Sequence, residues 1–317
     1  QPRTAGYVAN AAPQRPNVGP QLPTSYACAT FLAICYISYY VQEEVDWHFT
    51  MQHTNDFHNL LVEATQKLIA LRQLPEWYSE LPRRCPPILW FGDATSVKPK
   101  VVTIGANPSR QEYLGESSQK AAAKIQNDGN GSQLLYLESP LNRFYILPKT
   151  IEFEEITANT YMQEEIINSY NSYFKQNPYK WFGKDRSNSY NVEGFLRGIE
   201  ASYFSGSLTY QAIHIDLFPF ATIHDFNQIR SITERDIFQN NWAQSFLNKL
   251  IDKLQPEIII LFGRSNVSHY TSYISPILSS AIWRRYANAS FCIGHDKTRN
   301  TPIVGLSTNL GNPKGFT

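Results

Sequence analysis

A chain of 317 residues has room for one large α/β domain or two smaller ones, and its 42% apolar residues supply a sizeable core. The formal net charge of +1 excludes a whole-molecule basic field, so contact with nucleic acid has to come from local clusters of Lys and Arg. Cys28, Cys35, Cys85 and Cys292 are scattered without a C-x-x-C pair, which reads as reduced thiols in a cytoplasmic protein, with no metal site and no cofactor.

Residues 1–50 differ from the rest. QPRTAGYVANAAPQRPNVGPQLPTS has the Pro, Gly, Ala and Gln content of a tail. The uncharged run from Tyr26 to Val41 falls short of the roughly 20 residues a membrane helix needs, so no membrane span is expected. Met51 is the expected natural start, and residues 51–317 are expected to form a single domain. From Asp56 to Leu74, Phe57, Leu60, Leu61, Ala64, Leu68 and Leu71 recur at helical spacing, with Thr54 as a cap. Ile88 to Phe91, hemmed in by prolines, predicts an edge strand or packed loop, with Trp90 and Phe91 in the core.

Val101 to Tyr113, VVTIGANPSRQEY, is the stretch around which the other elements are arranged. Val101 to Ile104 is a short β-branched run with the look of a buried strand. Gly105 ends it, Pro108 blocks return to a ladder, and Ser109 stands where an N-cap would open a helix. Asn107 is therefore expected on a strand-to-helix turn at a carboxyl strand end, where open α/β sheets bind ligands. Helical N–H groups at Ser109 and Arg110 would meet an anion there. The stretch is neither a P-loop nor a dinucleotide fingerprint.

Residues 115–191 read as a long polar insertion. Gln119 to Ile125 and Met162 to Phe174 have helical patterns, and Asp128 to Gly131 is a turn cluster. Lys180, Trp181, Phe182, Lys184 and Arg186 interleave charge with aromatic rings. That mixture suits an extruded nucleic-acid strand and equally suits a solvated loop with a buried Trp. Val192 to Tyr203 predicts a helix, and Gln211 to Phe218 a core strand. Thr233 to Leu254 reads as one helix with an apolar stripe, and EIIILFG as the most strand-like run. A helix over Ser265 to Ser280 and strands over Ala289 to Ile293 and Pro302 to Leu306 complete the chain. Alternating strands and helices imply a mainly parallel sheet covered on both faces.

Three strand ends then carry polar groups: Asn107, Asp216, and Ser307 with Thr308 and Asn309. The pattern G-x-N-P-S after a strand, with HIDLFPFAT and PEIIILFGRS further on, resembles the uracil-DNA glycosylase superfamily from about Pro87 to the end. The resemblance implies a three-layer αβα fold around a parallel four-stranded sheet. It also implies a first motif that positions water, a second-strand residue that reads the base, and a second catalytic motif after the last strand. That second motif often reads His-Pro-Ser, and here the chain has Leu306-Ser307-Thr308-Asn309-Leu310 instead, leaving no cation for the departing base. His214 and His295 are the nearby replacements, each with a structural reading ahead of a functional one. Some relatives hold an iron–sulfur cluster on four cysteines, and the spacing here does not match theirs.

The expected activity is monofunctional excision of a flipped-out base from DNA. Asn107 would hold water, and Asp216 would act as base or as reader of the target. A carboxylate only accepts hydrogen bonds, so Asp216 matches the exocyclic amine of cytosine and repels O4 of uracil. The expected substrate is thus a cytosine derivative, such as the glucosylated hydroxymethylcytosine of phage DNA that antiviral members of the superfamily excise; uracil is the fallback. Tyr113, Phe218 and His214 are the expected base contacts. Ser109, Arg110, Ser307, Thr308, Asn309 and Lys314 are the expected phosphate contacts. An inactive nucleic-acid-binding scaffold and a free-nucleoside hydrolase are the competing readings.

Overall fold

Four runs of buried β-branched and aliphatic residues set the frame of the computed structural model. It describes residues 53–82, 84–108, 112, 143–148, 150–176, 178, 180–183, 192–204, 206–224, 226–275, 277–278, 284–286 and 289–307. The runs are β1 (Lys100–Gly105), β3 (Tyr210–Asp216), β4 (Pro256–Phe262) and β8 (Pro302–Leu306). Nearly every position of β1, β3 and β4 is buried, so both faces of the sheet are covered there, as expected of parallel strands. The fold is mixed α/β.

The sheet has eight strands rather than the four expected. With β2 (Ala201–Ser202), β5 (Ile277–Leu278), β6 (Arg284–Tyr286) and β7 (Ala289–Asp296), its order is β2-β3-β1-β4-β8-β7-β5, with β6 also on β7. Pairing is parallel from β2 through β8, then antiparallel through β7 to β5 and β6. Strand β7 contains the strand expected over Ala289 to Ile293, and β2, β5 and β6 are short additions at the two margins. A strand of two or three residues has too few positions to show a period-2 pattern.

The helices are α1 (His53–Arg72), α2 (Pro75–Glu80), α3 (Phe153–Ala158), α4 (Thr160–Ser172), α5 (Val192–Arg197), α6 (Arg230–Thr233), α7 (Trp242–Leu254) and α8 (Arg264–His269). Helix α1 begins at His53, which places Thr54 inside its first turn rather than at the cap. The helix expected over 192–203 stops at Arg197, because Gly198 comes next and Glu200 turns left-handed at φ 56°. The single helix expected over 233–254 is two. A wide π turn at Glu234–Phe238 continues from α6, and Asn241 at φ 62° breaks the chain before α7. Asn tolerates the left-handed region, and the neighbouring Asn240 side chain caps α7 by accepting from Trp242 N at 3.0 Å. The helix expected over 265–280 likewise runs through α8 into a π turn at Tyr270–Ile274 and stops at the extended Ser275.

Trp90 and Phe91 lie in the core, in an extended segment that touches β3 through one antiparallel bridge, Phe91 to His214. Cys85 and Cys292 are free buried thiols. Among the described residues no helix is long and apolar enough to cross a membrane, and no group of three or more His, Cys, Asp or Glu side chains is placed to hold a metal ion. Residues 1–52, the expected helix over 119–125 and the turn at 128–131 lie outside the described residues.

Candidate active site

The parallel register brings the expected polar strand ends to one edge. Gly105 is opposite Asp216, Ile104 opposite Leu261, and Phe262 opposite Leu306. Beyond the strand ends two further backbone bonds continue to join the chains, Leu217 N donating to Gly105 O at 3.1 Å and Phe218 N to Ala106 O at 3.2 Å. That continuation holds the Gly105-Ala106-Asn107 turn rigid against the chain leaving β3.

Asn107 is fixed by its amide nitrogen. Nδ2 donates to Thr222 Oγ1 at 2.9 Å, with longer contacts to Phe220 O at 3.4 Å and to Pro108 O at 3.3 Å. The Thr222 hydroxyl spends its own proton on His224 O at 2.7 Å, so towards Asn107 it can only accept. Reversing the amide would set its oxygen against three acceptors, and this decides which end points inward. Oδ1 therefore points away from Thr222, and it accepts no hydrogen bond among the described residues.

Asp216, 4% exposed, closes β3. Its Oδ1 lies 3.4 Å from His214 Nε2. On the other side of that ring, Nδ1 is 2.8 Å from Thr103 Oγ1, which is itself 2.6 Å from Tyr203 Oη. A lone pair on Nε2 would face the Asp216 carboxylate, so the ring carries its proton on Nε2. Thr103 then donates to Nδ1 and accepts from Tyr203. Every proton in this buried string points towards Asp216. Burial holds the Tyr203 phenol well above its ordinary pKa, so it remains a donor. Gly105 makes room for the arrangement: a Cβ there would lie 2.4 Å from Asp216 Oδ1 and 3.0 Å from His214 Nε2.

A second carboxyl, to which no sequence pattern points, belongs to the same cluster. Glu112 is 3% exposed, and its Oε2 accepts from Tyr173 Oη at 2.6 Å while Arg143 Nη1 stands 3.8 Å away. Burial is the main cause that pushes its pKa up to about 7. Arg143 and the Tyr173 hydrogen bond oppose the rise, and the Asp216 carboxylate adds to it. Aromatic rings pack around this polar group. Phe91, Trp181 and Phe182 surround His214 at 5.2, 5.4 and 5.2 Å between centroids. Phe91 and Phe182 in turn pack on Tyr173 at 5.0 and 5.7 Å.

Several expected contacts are corrected by this geometry. Phe218 is fully buried against Phe220, Phe226 and Phe238, so it offers no face to a base. His214 lies 4% exposed beneath the aromatic rings and acts on Asp216 rather than on a ligand. His295 pairs with Pro302, the first residue of β8, at the opposite end of the parallel strands, and cannot replace the missing second-motif histidine. Ser307 is tied to β7: its N donates to Ser290 O at 2.7 Å and its Oγ accepts from Ser290 N at 2.8 Å, prolonging the ladder rather than facing a phosphate. Trp181, half-buried, packs on His214 and on Phe262 at 5.7 Å, placing an indole at the carboxyl edge. Ser109, Arg110, Tyr113, Lys184, Arg186, Thr308, Asn309 and Lys314 lie outside the described residues, as does the side chain of Lys180.

No family model, curated protein or solved structure matches this chain.

Proposed function

We propose that this chain is a monofunctional DNA glycosylase that hydrolyses the N-glycosidic bond of a modified pyrimidine, with a cytosine derivative as the preferred base and a cytoplasmic site of action. The observation that carries this reading is the anchored amide of Asn107. A side chain whose nitrogen is spent on Thr222 and Phe220 offers a fixed oxygen acceptor, next to a buried carboxylate, at the carboxyl edge of a parallel sheet. Such an oxygen can hold a water for attack at the sugar carbon but is too weak a base to ionise it. The uracil-DNA glycosylase-like reading of the fold rests on β3, β1, β4 and β8, the four adjacent parallel strands that carry the motif segments.

In this mechanism the target nucleotide leaves the stack at a cost of a few kcal/mol, offset by backbone grip and pocket contacts. Trp181 provides the stacking face, expected to contribute about 1–3 kcal/mol. The negative charge of an Asp216 carboxylate favours a cytosine-type base over uracil, whose O4 it repels. Water held on Asn107 adds to the sugar carbon as the bond to the base loosens, and its proton passes to Asp216.

The test is abasic-site formation on DNAs carrying uracil, hypoxanthine, 5-hydroxymethylcytosine or glucosylated hydroxymethylcytosine, with Asn107→Ala in parallel. Cleavable sites from a cytosine-type substrate, absent in the variant, are the expected result. Excision that survives in Asn107→Ala would overturn the role of the turn. DNA retained without product on any substrate would instead favour a binding protein on this scaffold.

A further inference from the structure

Hydrolysis of an N-glycosidic bond leaves electrons on the departing base, and some donor has to meet them. Residues 306–310 contain no group that can be a cation, His295 lies at the wrong end of the sheet, and His214 is occupied with Asp216 and Thr103. Resting on the proposed glycosylase activity, we infer that Glu112 is the donor: a neutral carboxyl that hands its proton to the departing base while Asp216 remains the carboxylate of the pair.

The geometry assigns the proton to one oxygen. Oε2 already accepts from Tyr173 Oη at 2.6 Å, whereas Oε1 has no hydrogen-bond partner among the described residues. A protonated Glu112 therefore carries its proton on Oε1. Among the described residues three groups face the pair, Arg143 and Tyr173 beside Glu112 and His214 beside Asp216, and each carboxyl faces the other. Burial among Phe91, Phe144 and Phe182, which pack around Tyr173, disfavours a second negative charge next to Asp216. His214, aimed by Thr103 and Tyr203, turns its Nε2 towards Asp216 at 3.4 Å. Two coupled carboxyls in unlike surroundings divide acid and base duties between them.

The step balances. The bond from the sugar carbon to the base nitrogen breaks and its electron pair stays with the base, which takes the Glu112 proton. The oxygen of the water held on Asn107 bonds to the sugar carbon, and its proton goes to Asp216. One proton transfer from Asp216 back to Glu112 restores the starting state.

The experiment tracks the Glu112 side-chain carboxyl by carbon-13 NMR in the intact protein, in parallel with the pH dependence of excision. A glutamate resonance titrating near 7 is expected. It should disappear in Glu112→Gln, move to lower pH in Asp216→Asn and to higher pH in Tyr173→Phe, each shift arising from the removed charge or hydrogen bond. Excision by the wild type should fall about tenfold per pH unit above that midpoint, whereas Glu112→Gln, whose amide has no proton to transfer, should excise slowly at every pH and show no such limb. A Glu112 resonance titrating near 4.5, readable in the wild type even if the variants fail to fold, would overturn the inference whatever the excision result. An unchanged alkaline limb in Glu112→Gln would overturn it as well. A titration near neutrality with no excision on any substrate would remove the donor role by removing the reaction, and the titration tells the two failures apart.

Discussion

Replacing Gly105 with Ala tests whether the placement of Asp216 matters. The added methyl carbon would lie 2.4 Å from Asp216 Oδ1, where ordinary contact begins near 3.4 Å, so the carboxylate has to retreat by about 1 Å. The backbone of β1 cannot yield instead, because it is hydrogen-bonded to β3 on one side and to β4 on the other. His214 Nε2, at 3.0 Å from the same methyl, is displaced too, which breaks the string of protons aimed at Asp216. A misplacement of about 1 Å at a reacting centre costs about 100-fold in rate, and overpacking costs about 1–3 kcal/mol in stability. The assay is single-turnover abasic-site formation on the best substrate, with urea denaturation and DNA affinity measured on the same protein. Gly206→Ala is the control, since a methyl there meets nothing within 4 Å. A folded Gly105→Ala protein that excises at the wild-type rate would refute the assignment of Asp216.

Thr222→Val keeps the shape of the side chain but removes the acceptor for Asn107 and the donor to His224. Excision should fall at least about tenfold and stability by about 1–3 kcal/mol, with DNA affinity unchanged; a wild-type rate would mean that the amide needs no anchor. Trp181→Ala should weaken binding of DNA bearing the target base by about 1–3 kcal/mol while leaving the maximal rate nearly intact, and an unchanged affinity would remove Trp181 from the base contacts. Glu112 should lower stability in a definite pH window. Below about 4.5 it is protonated in both states, between 4.5 and 7 only the unfolded chain ionises it, and above 7 the full cost of about 3 kcal/mol is present. Glu112→Gln should therefore gain stability over the wild type as pH rises through that window, and a difference independent of pH in urea titrations would contradict the burial argument.

The frame of this fold was legible because burial on both faces leaves a continuous apolar run in the sequence. VVTI, AIHI, EIIILF and PIVGL all became adjacent strands, and the residues just past them fell on one edge as parallel pairing requires. Helix breaks were harder to see. The apolar stripe of Ile237, Phe238, Phe246 and Leu250 continues straight through the break at Asn241, since packing on one core imposes the same spacing on two helices as on one. The local signal was the pair Asn240-Asn241, one residue supplying the left-handed turn and the other the cap.

The site divides along the same line. Asn107 and Asp216 could be placed because strand ends are local, a matter of a few residues around Gly105 and Pro219. Their surroundings are not local. Glu112 owes its character to Tyr173, 61 positions further along, and to Arg143, and the letters RQEY give no sign that one carboxyl among them is buried. Phe218 was misplaced for the converse reason. It shares the alternation of β3 with His214 and Asp216, but the strand stops at Asp216, so period-2 reasoning no longer says where its ring goes. A carboxyl acquires an unusual charge state only from the groups that the rest of the chain packs against it. The side chains at a strand end can thus be named from sequence well before their protonation can, and in the proposed mechanism the protonation of Glu112 is what separates a water-holding turn from a site able to receive the electrons of a departing base.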